Sequence, residues 1–146
     1  MTLNTARVAP PGTRVRGLAR ITDENGRLLY LIRTDEPEWT LPGGLGLPGE
    51  PAVDALAYHV RHALGVQVTP RALLALESSG QPGESSYLID CGTLSAEEIR
   101  TLQLPLTTRT ATREYAAYGF AEPAELATRL HPSHRRLLDA ATTCTT

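Results

Sequence analysis

A glycine- and proline-punctuated loop running straight into an amphipathic helix constrains this chain more than any other feature. Residues 42–50 read PGGLGLPGE, so Gly43, Gly44, Gly46 and Gly49 are interleaved with Pro42 and Pro48. Regular structure is not expected there, and a backbone so bare of side chains can approach a ligand closely. Pro51 then stands where a first helical turn tolerates proline, and Gly65 where a helix ends. Between them Val53, Leu56, Val60 and Leu64 fall within a stripe about 80° wide at roughly 100° per residue. That stripe predicts a buried face. Asp54, Tyr58, His59, Arg61 and His62 lie off it. His59 and His62 are only about 60° apart around the axis, so both imidazoles share a side away from the core.

Most of the remaining chain reads as strands. Thr13 to Ile21 alternates, with Val15, Ala19 and Ile21 on one face and Arg14, Arg16 and Arg20 on the other. TDENG at 22–26 is a turn and RLLYLIR at 27–33 a return strand, which together predict a hairpin. Residues 34–39 form a polar loop. Residues 66–80 read as a strand, a break at Pro70 and a second strand; 86–94 read as a central strand and 114–120 as the last one. Residues 96–104 suggest a short helix or turn, 121–130 a helical segment, and 131–141 a helix capped by Ser133. The organisation is then a flexible N-terminal arm at 1–12, a single domain at 13–141 and a disordered tail at 142–146.

Composition narrows the classes of function. At 146 residues the chain makes one domain large enough for a real core. A formal charge of −2 gives no electrostatic reason to expect nucleic acid or an anionic membrane as partner. All 14 basic residues are Arg, so any phosphate clamp must be guanidinium or backbone N–H. Cys91 and Cys144 have no metal-ligand spacing, and with no apolar leader they point to a reducing cytoplasm. No apolar run approaches the roughly 20 residues that span a bilayer.

The segment from Gly44 to Val66, GLGLPGEPAVDALAYHVRHALGV, closely resembles the Nudix box, whose pattern is Gly-x5-Glu-x7-Arg-Glu-U-x-Glu-Glu-x-Gly-U with U aliphatic. Gly44, Glu50, Val60, Gly65 and Val66 fall on it without insertion or deletion. The hairpin ending DENGRLLYLIR, the WTLPGG approach and the YGFAEPAEL…HPSHRRLL close extend the resemblance over roughly residues 13–141. It implies an α+β fold, the Nudix α/β/α sandwich with a mixed β-sheet. In that family the box glutamates hold magnesium against a diphosphate. Here the Arg-Glu position is Tyr58-His59 and the Glu-Glu position is His62-Ala63, so three metal-directed carboxylates are absent together. Magnesium takes oxygen ligands in near-octahedral geometry and binds imidazole poorly.

The candidate catalytic residues are accordingly His59, His62, Tyr58 and Glu50, the last matching a family position that mostly supports the loop and helix. Candidate ligand-binding residues are Arg33, Trp39, Gly43, Gly44, Arg109, Arg113 and Glu114, the last being the family's late acidic position. No resident metal is expected, magnesium least of all. The spacing of His59 and His62 suits Zn or Ni better, with Glu114 as third ligand. Three functions remain open. One is a repurposed, metal-free enzyme acting on a small organic or nucleotide-like metabolite through a His/Tyr-lined cleft, since imidazole titrates near neutrality. The second is a sensor or carrier that binds such a ligand without turnover. The third is residual hydrolysis of nucleoside diphosphate derivatives through Glu50 and Glu114. The partner in each case is a small molecule, and a homodimer is compatible with all three.

Overall fold

The computed structural model describes residues 2–9, 11–78, 84–104 and 115–143. Seven strands follow in the order β1 (Arg14–Thr22), β2 (Leu28–Arg33), β3 (Trp39–Thr40), β4 (Gly43–Leu45), β5 (Ala72–Ser78), β6 (Glu84–Thr93) and β7 (Tyr115–Ala121). Helix α1 (Ala52–Leu64) lies between β4 and β5, α2 (Ala96–Arg100) after β6, and α3 (Pro123–Arg129) and α4 (Pro132–Thr143) close the chain. The sheet runs β3-β2-β1-β6-β5, with β4 also on β1 and β7 also on β2. It is mixed: β1 and β6 are parallel, and the other pairs are antiparallel.

Strand β1 is covered on both faces. Val15, Ala19 and Ile21 join Leu56, Val60 and Leu64 in the core beneath α1. Leu18, two registers from Arg16 and Arg20, joins Leu126, Leu137 and Leu138 in a second core under α3 and α4. The sandwich is therefore α1, sheet, then α3 and α4. Helix α1 begins after Pro51 and ends at Gly65, whose φ of 72° is left-handed. Its expected stripe is fully used: Val53, Leu56, Val60 and Leu64 are all buried. Gly17 lets the helix come close, because a Cβ there would sit 2.2 Å from the Ala52 carbonyl oxygen.

Several expectations change. The hairpin closes as a ladder only at Thr22–Leu28, because beyond it β4 and β6 flank β1 while β7 and β3 flank β2. Its turn is held by Asp23, whose Oδ1 accepts from the backbone N–H of Asn25 and of Arg27, both at 2.9 Å. The glycine loop is not wholly irregular. Gly43–Leu45 form β4 against Arg16, Gly17 and Leu18, since glycine opposite glycine permits that approach. Of the two strands expected within 66–80, only the one after Pro70 forms, as β5, and residues 66–70 form none. Within the stretch expected to be a flexible arm, Leu3–Arg7 form a 3-10 turn that buries Ala6 in the α1 core. Ser133 does not cap α4. The cap is His131, whose Nδ1 accepts from the Ser133 backbone N–H at 3.2 Å. Helix α4 continues to Thr143, past the expected domain end.

Candidate functional site

The sequence-derived site residues separate into two groups on opposite sides of the sheet. On α1, Tyr58, His59 and His62 do come together. Tyr58 lies 5.3 Å from the His59 ring, edge-on, and stacks parallel to His62 at 5.7 Å. Their surroundings differ, however. Tyr58 is 60% exposed and His62 is exposed. His59 turns against β4: its Nε2 is 2.9 Å from the Leu45 carbonyl oxygen, and a Cβ on Gly44 would lie 2.6 Å from its ring carbons. Gly44 thus makes room for an imidazole of the chain's own rather than for a ligand. Glu50 supports the loop, its Oε1 accepting from the Leu47 N–H at 3.0 Å.

This donor set does not fit magnesium. The four box positions offer a phenol, two imidazoles and the methyl of Ala63, which is only 4% exposed inside the α1 core. The Glu50 carboxylate already caps the loop, and His59 Nε2 already meets a carbonyl. Among the described residues no group of three His, Cys, Asp or Glu is placed to hold a metal ion. Glu114, the third ligand considered for Zn or Ni, lies outside the described residues, as do Arg109 and Arg113.

The other group lines a cleft of about 360 Å³ on the α4 side of the sheet. Arg16 and Leu18 come from β1, Arg33 from β2, Thr40 and Gly43 from the strands after it, and His131, Ser133 and His134 from the start of α4. Gly43 reaches this wall with φ of 128°, and any Cβ there would strike the Gly17 carbonyl oxygen. Arg33 meets Asp35 at 3.4 Å and the Tyr115 ring at 5.5 Å. Tyr58, His59 and His62 are not among the residues lining this cleft. Trp39 is not there either. It stacks on Tyr30 at 3.8 Å, takes Arg129 over its other side at 5.0 Å and bridges to Leu130. It docks the C-terminal helices.

Sequence reading missed His134, the most constrained polar group of the cleft. Its Nδ1 accepts from the Leu41 N–H at 3.1 Å. Burial, with His131 and Arg16 adding positive charge nearby, lowers its pKa to about 3. The ring is therefore neutral, and with Nδ1 accepting, the proton must be on Nε2. The signal was available: a polar His at the i−3 and i−4 positions from Leu137 and Leu138 falls on the buried stripe of that helix.

No family model matches the sequence, and no curated protein sequence matches it. Solved structures do. The MutT protein from Methanosarcina mazei Go1 superposes with a TM-score of 0.70 at 20% identity, over 91% of this chain and 94% of that one. The fold is that of the Nudix hydrolases. The E. coli ORF135 protein gives a TM-score of 0.67 at 23% identity, over 91% of each chain. The E. coli dihydroneopterin triphosphate pyrophosphohydrolase gives 0.58 at 18%, over 89% of this chain and 96% of that one.

Proposed function

We propose that this chain is a Nudix-fold binding protein whose working site is the Arg16–His134 cleft, which takes a small, acceptor-rich, nucleotide-like anion without a divalent metal. The observation that carries this reading is the chemistry of the cleft wall. Two guanidiniums and an imidazole with its proton fixed on Nε2 supply donors, while Glu36 is the single carboxylate among the lining residues. A guanidinium pairs bidentately with carboxylate or phosphate, and a neutral imidazole N–H reads an acceptor without adding charge. The volume of about 360 Å³ suits a small metabolite. The structural neighbours include a dihydroneopterin triphosphate pyrophosphohydrolase, which is compatible with a nucleotide-like ligand here.

Calorimetric titration in EDTA against nucleoside mono- and diphosphates, ADP-ribose and their dephosphorylated counterparts tests it. Saturable binding of a phosphorylated member is expected, weakened at least about tenfold in Arg16→Ala, which costs roughly 1.4 kcal/mol or more. Binding of none, or equal binding to Arg16→Ala, sinks the reading.

One observation favours a metal-free enzyme as the second reading. Tyr58 and His62 present stacked rings to solvent beside His59, an arrangement able to move protons on a ligand that reaches around β4. Loss of turnover in His62→Ala with an unchanged melting temperature would support it over simple binding. Residual hydrolysis through Glu50 and Glu114 is the weakest reading, because Glu50 is engaged by Leu47.

A further inference from the structure

The layer between the sheet and helices α3 and α4 has a second opening, about 590 Å³, that the Arg16–His134 cleft does not reach. Its floor is the cross-strand pair Arg20 and Asp90, in register on the two central strands β1 and β6. The position is unusual for charges. Two residues earlier on the same face, Leu18 and Leu88 are 1% and 0% exposed, sealed by the helices. At Arg20 and Asp90 the cover stops, and the side chains are 39% and 29% exposed. Small residues keep it open: Ala124 and Ala127 of α3 and Ala141 of α4 form walls where longer side chains would have closed the layer. Leu28, Leu74 and Leu138 complete an apolar lining.

The ion pair is also loose. Arg20 Nη1 and Asp90 Oδ1 are 3.8 Å apart, beyond hydrogen-bond distance, and Oδ1 accepts instead from the Gly92 N–H at 3.1 Å. Asp90 Oδ2 has no partner among the described residues. The floor therefore offers donors from Arg20 beside an acceptor from Asp90, within apolar walls. Asp139 at the rim is paired with Arg135 at 3.8 Å, so the charges of the floor are one guanidinium and one carboxylate, which balance. A carboxylate ligand would bring its charge against Asp90 and has no N–H to donate to it.

We propose that this opening is a second binding site, for a small uncharged flat ring with an amide-type edge, its carbonyl accepting from Arg20 and its adjacent N–H donating to Asp90 Oδ2. The ring faces pack on the leucines and alanines. Arg16 and Arg20 are four residues apart on one strand, about 13 Å by strand rise, so the two sites sit at opposite ends of one layer.

The test is titration of the 15N-labelled full chain with uracil, thymine and nicotinamide, and with benzoate as an anionic ring of similar size, followed by amide chemical shifts. Saturable shifts are expected at Arg20, Asp90, Ala124 and Ala127 with at least one amide ring, and binding of benzoate at least about tenfold weaker. Asp90→Asn, which can keep the Gly92 hydrogen bond while turning the second acceptor into a donor, should weaken the amide ring about tenfold or more. Ala127→Phe, which fills the groove from a half-buried helix position, should abolish those shifts while leaving the rest of the spectrum in place. No saturable shift with any amide ring, shifts centred on Leu41 and Ser133 instead, or benzoate binding as tightly, overturns the proposal.

Discussion

His59 and His62 stand one helical turn apart and do different work. His59 ties α1 to β4 through the Leu45 carbonyl and fills the space that Gly44 leaves, whereas His62 is exposed and touches only the Tyr58 ring among its aromatic neighbours. His59→Ala removes a half-buried hydrogen bond and opens a gap beneath β4, so a loss of about 2 kcal/mol is expected in denaturant unfolding. His62→Ala should stay within about 0.5 kcal/mol, as surface changes do. Equal effects would mean that the imidazole of His59 is not the tie. His134 gives a pH signature. Its folded pKa, near 3, is depressed below the usual 6.5 by burial first and by His131 and Arg16 next. Both states hold the ring neutral above pH 6.5. Below it the unfolded chain takes a proton that the folded one refuses, so stability falls as pH drops from about 6.5 toward 3. The loss should reach a few kcal/mol. His134→Gln should flatten that slope in urea titrations between pH 6.5 and 4; an unchanged slope would assign it to carboxylates such as Asp23. Burial opposes ionisation of Asp23, but the N–H groups of Arg27 and Asn25 and the Arg27 guanidinium hold its pKa below the ordinary range.

Among the elements, α1 was legible to within a residue and β4 was not, and the reason is physical. A helix satisfies its own backbone, so its stripe, its Pro51 entry and its Gly65 exit are all local signals. Whether Gly43–Leu45 pairs with anything depends on β1, some two dozen residues earlier, presenting Gly17 opposite Gly44. The same applies to the hairpin, whose turn chemistry was correctly placed at Asp23 but whose strands separate to find other partners. At the site, the box positions were legible from their order, yet the cleft was only partly so. Of the residues lining the cleft, Arg33 and Gly43 were singled out in the sequence, while Arg16 was read only as lying on the strand face opposite Val15, Ala19 and Ile21, and His131 and His134 as part of a helix. Helix and strand meet most tightly at Gly17. A methyl there would lie 2.2 Å from the Ala52 carbonyl oxygen and 3.0 Å from the Leu56 Cβ, both on the rigid first turns of α1. Gly17→Ala should therefore cost about 3 kcal/mol, at the upper end for overpacking, and lower the melting temperature by several degrees. Gly26→Ala, with open space around it and only its φ of 79° to strain it, should cost less.

At the scale of the molecule the chain has the fold of the Nudix hydrolases, while Tyr58, His59, His62 and Ala63 place no carboxylate on the second half of α1, and together these predict how it answers magnesium. A resident ion stabilises a fold by binding the folded state alone. At a concentration a hundred times its dissociation constant the gain is about 2.7 kcal/mol, which in a domain this size moves the melting temperature by several degrees. Asp54, in the first turn, is the one carboxylate on α1, and positions 58, 59, 62 and 63 supply none. Ala63 points a methyl into the core, Glu50 is engaged by Leu47, and His59 holds β4 directly, so the contact between helix and strand is made by protein alone. Melting curves in millimolar magnesium and in EDTA should coincide to within about 1 °C. Release of phosphate or nucleotide from ADP-ribose, NADH or deoxynucleoside triphosphates should stay far below the roughly 1 s⁻¹ of ordinary enzymes, with magnesium or manganese present. The two measurements fail separately. A rise of several degrees without turnover would place a metal site elsewhere on the chain, whereas metal-dependent turnover at ordinary rates would show that carboxylates other than those of the box have taken over its work.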